Sequence, residues 1–597
     1  MTRPSKPVAA VSVAISVSHL QAHLLQVHMT IAQPKALQTV SLPVWIPGSY
    51  MVREFAQHLQ GLCGYQGAAA VKAEAMNKHQ WRLRCDPTQP LELRYEVYAF
   101  DPSVRMAYLD DERCFFNHTS TVLQVVGCES ARHEIKLTRP KDPSCADWQL
   151  VTGLTPVRVD AQGFGRYSAL DYDELADCPV TMGRMWCERF EVRGVEHLWA
   201  ITGAPANLDG QRLVRDTQRI VEAEFDFWHG PGGKPEWPRY VFMMHAADNA
   251  YGGLEHRNST ALVCARQDLP QRGPDGTRPA QQLKAADTYT QLLGLISHEY
   301  FHTWNVKRLR PKAFARYDYS QENYTDQLWF FEGFTSYYDD LMLRRCGLLD
   351  DSVYLQLLAK TWNQVRQTPG QAQQSVAESS FDAWTKYYRI TENSPNATVS
   401  YYTKGALVAL CLDAELRQAG SSLDRLMRAL WQRCDGGPMA MTDVRAALKS
   451  SGHAALFSQL DAWVHSTDAL PVERALKALG VSATHNAAPL AQRLGLRARE
   501  DHTGLHITHV LRGGAAEAMG LCAGDEWLSV QVGSQHARVR KLTDVAAWMR
   551  RSGKFTALVA RDGRVRSLKG QWPQASETMQ LKVTEATKVS DWLAGSA

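Results

Sequence analysis

The chain has 597 residues, of which 45% are hydrophobic and 21% charged, and a formal net charge of +4. That length exceeds the roughly 250–300 residues at which one core stops growing, so several domains are expected. The small charge gives no support to nucleic-acid binding, and apolar runs such as residues 406–412 fall short of the roughly 20 residues of a membrane span. The 12 cysteines, spread from Cys63 to Cys522 without Cys-x-x-Cys spacing, read as buried reduced thiols rather than a thiolate metal site or a disulfide framework.

In chain order, Val11, Val13, Ile15 and Val17 alternate with small or polar residues, which is the pattern of a strand. The basic start before them imitates a short signal peptide. The strand reading makes the chain cytoplasmic, with a periplasmic location as the alternative. Residues 37–45, 91–98, 122–126 and 133–137 are further strands, punctuated by Pro-Gly and Asp-Pro turns, so residues 1–195 are expected to form a β-sandwich-like domain. A strand at 240–244 leads into Tyr251-Gly252-Gly253-Leu254-Glu255-His256, and the polar stretch 267–279 is a surface loop. Residues 284–302 have no proline and carry Leu292, Leu293, Leu295, Ile296 and Phe301 near helical spacing. A second helix is expected over 325–346, stopped by Gly347, and helical patterns continue to about 478, so residues 196–480 are taken as one mainly α region. Residues 489–575 return to short strands, with a Gly-rich turn and an amphipathic helix at 542–551, as in a small separate domain.

Within the first of these helices lies His298-Glu299-Tyr300-Phe301-His302. Helical geometry puts the two imidazoles one turn apart on one face with a carboxylate beside them, the arrangement a hydrolytic zinc uses. Glu299, next to a ligand but directed away from the metal, can accept a proton from water and return it to a leaving amine. A third ligand is needed, and two glutamates compete. Glu322 is separated from His302 by residues 303–321, and Glu332 by residues 303–331. Context favours Glu332, because a carboxylate among Trp329, Phe330, Phe331 and Phe334 is costly to bury without a cation.

The run from His298 to Pro311, together with Trp329-Phe330-Phe331-Glu332-Gly333-Phe334-Thr335-Ser336-Tyr337-Tyr338 and Trp45-Ile46-Pro47-Gly48-Ser49-Tyr50, closely resembles the glycyl aminopeptidase family of zinc metallopeptidases. That family is related to aminopeptidase N within the thermolysin-like clan. The resemblance implies a multidomain α+β fold with a thermolysin-like, mainly α catalytic domain, and one zinc per chain. It implies peptide substrates with a free N-terminus and a preference for glycine or alanine there. Gly252-Gly253-Leu254-Glu255-His256 resembles the exopeptidase motif of aminopeptidase N, in which Glu255 would hold the substrate ammonium; Leu254 and His256 depart from it. Tyr402 matches the clan's oxyanion-stabilising tyrosine, with Tyr401 as its neighbouring rival. Lys307, Arg308 and Arg310 are left open between meeting a peptide carboxylate and pairing with acids.

The C-terminal segment resembles a PDZ module, with Leu494-Gly495-Leu496 as its carboxylate-binding loop and residues 513–525 as the bacterial-type signature. Such a module binds a C-terminal peptide as an added strand, or only packs on its neighbour. Two other readings of the chain compete: an endopeptidase on the same metal site, and a peptide-binding scaffold whose function rests in the C-terminal module.

Overall fold

Alternation becomes sheet through the first third of the chain. In the computed structural model, which describes residues 9–273, 275–277, 282–548, 553–573 and 576–595, Val11–His19 buries every second side chain early in the strand. It pairs antiparallel with Leu24–Ile31 and parallel with His133–Leu137. These strands lie in an eight-stranded sheet that shares one core with two four-stranded sheets. Of the segment 122–126, only Gln124–Val125 pairs as a strand, because His118–Thr121 before it closes a helical turn.

The chain leaves this β-rich domain at Met185–Val192, which already pairs with Val195–Thr202 in a five-stranded mixed sheet. Arg239–Ala247 and Ser259–Ala265 extend that sheet in parallel, and Tyr251–Glu255 folds back antiparallel to form its edge. The helix Gly210–His229 covers one face; its Asp209 cap accepts a hydrogen bond from Arg212 N, and Leu213, Ile220, Val221 and Phe225 are buried. Part of the loop 267–279 lies outside the described residues.

The two long helices expected from the sequence are Thr288–Phe301 and Leu328–Arg345, the second stopped by Gly347 in a left-handed conformation. Both are nearly all-round buried, which explains why their apolar pattern has no polar stripe. Helices Asp351–Arg366 and Thr403–Gln418, with shorter ones between and after them, complete this central domain. No helix among the described residues is long and apolar enough to cross a membrane, and all 12 cysteines are free.

The C-terminal module is inserted rather than appended. Val481–Ala487 and Glu577–Val583 pair antiparallel at its neck. Between them stands a six-stranded sheet around Leu494, Ile507, Trp527, Val530 and Phe555. The helix expected at 542–551 is Leu542–Ala546, and residues 549–552 lie outside the described ones. The last helix, Ala586–Ala594, returns to the central core, where Trp592 Nε1 donates to Tyr337 Oη at 2.9 Å.

Candidate metal centre and substrate cleft

The last turn of Thr288–Phe301 carries His298 and Glu299, and His302 follows as its cap. The neighbouring helix carries Glu332. His298 Nε2 and His302 Nε2 are 3.0 Å apart, and Glu332 Oε2 lies 3.1 Å from the second and 3.6 Å from the first. Ligands about 2.0–2.2 Å from one tetrahedral zinc are separated by roughly 3.3 Å, so these three atoms have the spacing of a ligand set. Glu322 sits on the loop ahead of the glutamate helix and is not part of the group.

The hydrogen bonds behind the histidines decide what the facing atoms are. His298 Nδ1 lies 3.0 Å from Asp339 Oδ2, and His302 Nδ1 lies 2.8 Å from the Asn305 carbonyl. Both partners accept, so each Nδ1 carries its proton and each Nε2 presents a bare lone pair in the neutral ring. Two lone pairs at 3.0 Å beside a carboxylate, with no donor aligned on Glu332 Oε2, form a site that calls for a cation. The electrostatics agree. Burial opposes charge on all three groups, yet Asp339 and Glu332 raise His298 well above the usual histidine range. Glu332 raises His302, and the two imidazoles hold Glu332 down at about 2.

The triad opens on a cleft of about 550 Å³ that Gly252, Gly253, Glu255, Glu299 and Tyr402 also line. Burial pushes the Glu299 carboxyl up to about 7, with His298 opposing and Glu255 adding to the shift. Its Oε2 has no hydrogen-bond partner. The edge strand passes so close that a β-carbon on Gly253 would collide with Glu299 Oε1. Glu255 ends that strand, is 5% exposed, and forms no ion pair among the described residues. Tyr402 begins the helix Thr403–Gln418 with its ring 6.1 Å from that of His298, whereas Tyr401 is buried behind it and away from the cleft. Burial and then Glu332 raise the Tyr402 phenol well above 10, so its hydroxyl keeps its proton as a donor.

A family model for the M61 glycyl aminopeptidase matches residues 291–408, and one for the M61 N-terminal domain matches residues 12–184. A solved structure of an aminopeptidase N family protein from Idiomarina loihiensis is 34% identical, covers 98% of this chain and 100% of its own, and superposes with a TM-score of 0.90. The chain belongs to the M61 glycyl aminopeptidase family. An M1 zinc metallopeptidase from Deinococcus radiodurans is a more distant likeness, at 14% identity over 77% of this chain and 94% of its own, with a TM-score of 0.47. No curated protein matches.

In this M61 peptidase chain the basic residues after the motif are structural. Lys307 is buried against Asp177 of the β-rich domain at 2.7 Å, and Arg308 donates to the carbonyls of Arg257 and Thr303 while stacking on Trp237. Arg310 donates to Ala315 O. Several residues that shape the site carry weaker sequence signals. Asp339, which orients His298, follows Glu332 by two helical turns on the same face, the spacing that would have disclosed it. Behind it, Ser297 Oγ lies 2.9 Å from Asp339 O and 3.2 Å from Glu224 Oε1. Burial pushes the Glu224 carboxyl well above the usual carboxylate range, with the Ser297 hydroxyl that donates to it opposing the shift.

The β-rich domain also supplies a wall. Trp45 and Tyr50 insert into the central core, each at most 1% exposed, and Trp45 Nε1 donates to Asp318 O at 2.8 Å. Between these anchors Gly48, with φ +90°, presses on Glu255: a β-carbon there would lie 2.5 Å from Oε1. Tyr388 Oη donates to Gly48 O at 3.1 Å.

Proposed function

We propose that the chain is a zinc aminopeptidase that hydrolyses the first peptide bond and prefers glycine or alanine at the N-terminus. The observation that carries this reading is the pairing of a three-ligand site with an unpaired carboxylate, Glu255, on the same cleft wall. Its unpaired carboxylate fits a substrate ammonium, and Gly48 packs against that carboxylate. An endopeptidase would need room for chain past this point.

His298, His302 and Glu332 would hold one zinc, which when bound acts as a Lewis acid on the scissile carbonyl and on water. Glu299 takes the proton from the attacking water on its carboxylate and delivers it to the leaving nitrogen; a basicity near neutrality suits both transfers. The Tyr402 hydroxyl donates to the developing oxyanion, a contribution worth about 10²–10³ in rate. Glu255 fixes the ammonium. Gly48, held by the Trp45 and Tyr50 anchors, limits the space beside that ammonium, which favours a first residue with little or no side chain.

We read the C-terminal module as PDZ-like, with an extended C-terminal peptide as its ligand. What supports this is the left-handed Gly495 between Leu494 and Leu496, directly before Leu496–Glu500 at one edge of its sheet.

Zinc stoichiometry with activity tests the main reading. Wild type should hold one zinc per chain; His302→Ala and Glu332→Ala should lose it, and Glu299→Gln should keep zinc while losing turnover. Full activity in zinc-free protein would overturn the assignment.

A further inference from the structure

Arg105 belongs to the β-rich domain but reaches into the cleft of the central one, where its Nη2 donates to Gly253 O at 3.1 Å. That is its one side-chain hydrogen bond to the described residues. No carboxylate among the described residues pairs with it, and its Nε is buried without a partner. Of the other cations near the cleft, Lys360 is solvent-exposed and lies near enough to Asp340 to act on it electrostatically, and Arg53 donates to Ser49 Oγ. A half-buried guanidinium with most of its five donors unused, beside a substrate channel, is arranged for an acidic ligand.

The spacing says which one. Glu255 and Gly253 stand two residues apart on the edge strand, about 6.6–6.8 Å. An extended dipeptide spans a similar distance from ammonium to carboxylate, about 6.6–7.2 Å. Laid along the free edge with its ammonium at Glu255, a dipeptide therefore brings its terminal carboxylate towards the level of Gly253 and Arg105, where Glu299 also packs against the strand. A planar guanidinium binds a carboxylate through two parallel hydrogen bonds, which a blocked or continued chain cannot offer.

We propose that Arg105 is a specificity residue that binds the free carboxylate of a dipeptide, so that the enzyme selects glycyl dipeptides over longer or C-terminally blocked peptides. This rests on the aminopeptidase reading, which places the ammonium at Glu255.

The test compares Gly-Ala with its C-terminal amide and with Gly-Ala-Ala. Wild type should favour the free acid over the amide by about tenfold to a hundredfold in kcat/KM, mainly through KM. Arg105→Gln should bring that ratio to near one, and Arg105→Lys should restore part of it. Binding of the same pair to Glu299→Gln reads recognition without turnover and should show the same preference. A wild-type ratio near one, or a ratio that survives Arg105→Gln, overturns the proposal and leaves Arg105 as a strap between domains. Failure to cleave any of the three peptides counts against the aminopeptidase reading instead, and the binding arm still decides the role of Arg105.

Discussion

Gly333→Ala sets two effects of opposite sign against each other. In the interior of a helix, alanine is favoured over glycine by about 1 kcal/mol, so propensity alone predicts a more stable protein. The structure predicts the reverse. A β-carbon at 333 would lie 2.5 Å from Gly405 Cα, 2.6 Å from Gly405 C and 2.9 Å from Tyr401 O. Carbon pairs rest at about 3.5–4.0 Å, so the helix bearing Glu332 and the helix begun by Tyr402 must part by about 1 Å. All the obstructing atoms are backbone and none can rotate aside. Overpacking of this kind costs about 1–3 kcal/mol, which outweighs the propensity gain and leaves a net loss of about 1–2 kcal/mol. Activity should suffer more, since moving Tyr402 by about 1 Å relative to the ligand carboxylate is a displacement that costs on the order of 10²-fold. Thermal melts with kcat/KM on a glycyl peptide read both effects. Gly405→Ala, whose β-carbon would lie 2.6 Å from Trp329 O, should behave alike, and the double variant should lose less than the combined single losses. A Gly333→Ala protein as stable and as active as wild type would refute the argument that this close approach builds the site.

Further outcomes follow from other contacts. Asp339→Ala removes the acceptor that orients His298 and should weaken zinc affinity about 10–100-fold in a chelator competition, with the fold intact by circular dichroism. Gly253→Ala drives a β-carbon into Glu299 Oε1; kcat should fall while zinc content holds, and unchanged kcat would show that the strand yields freely. Burial pushes His118 and His197 down to about 4, below the roughly 6.5 of an unfolded histidine. The unfolded chain therefore binds more protons between these values, so their contribution is complete above about pH 6.5 and is lost as pH falls towards 4. At pH 5 each costs about 2 kcal/mol. Denaturation midpoints at pH 7 and 5 should differ less for His118→Gln than for wild type, and equal pH slopes would count against the assignment.

The cluster of candidate metal ligands was legible because its chemistry is local. His298, Glu299 and His302 lie within one helical turn, and Glu332 betrayed itself as a carboxylate in an aromatic run. Strand alternation likewise disclosed the β-rich domain. What escaped were relations between distant segments. Met185–Val192 alternates like the strands before it, and only its pairing with Val195–Thr202 shows which sheet owns it. Residues 576–595 look like a tail, yet Trp592 and Leu593 complete the central core. Asp177 and Lys307 are 130 positions apart in sequence, so the ion pair that makes Lys307 structural leaves no local trace. Gly48 and Arg105 reach the cleft from another domain, where only the assembled structure brings them near Glu255 and Gly253.

The central claim is that this cleft removes an N-terminal residue and needs a metal to do so. Release of free glycine from a glycyl peptide and from its N-acetylated form, before chelation, after chelation and after restoring zinc, tests it most directly. The account predicts cleavage of the free-amine peptide alone, abolished by chelation and recovered with zinc. Equal cleavage of the acetylated peptide, or cleavage that survives complete chelation, would contradict it.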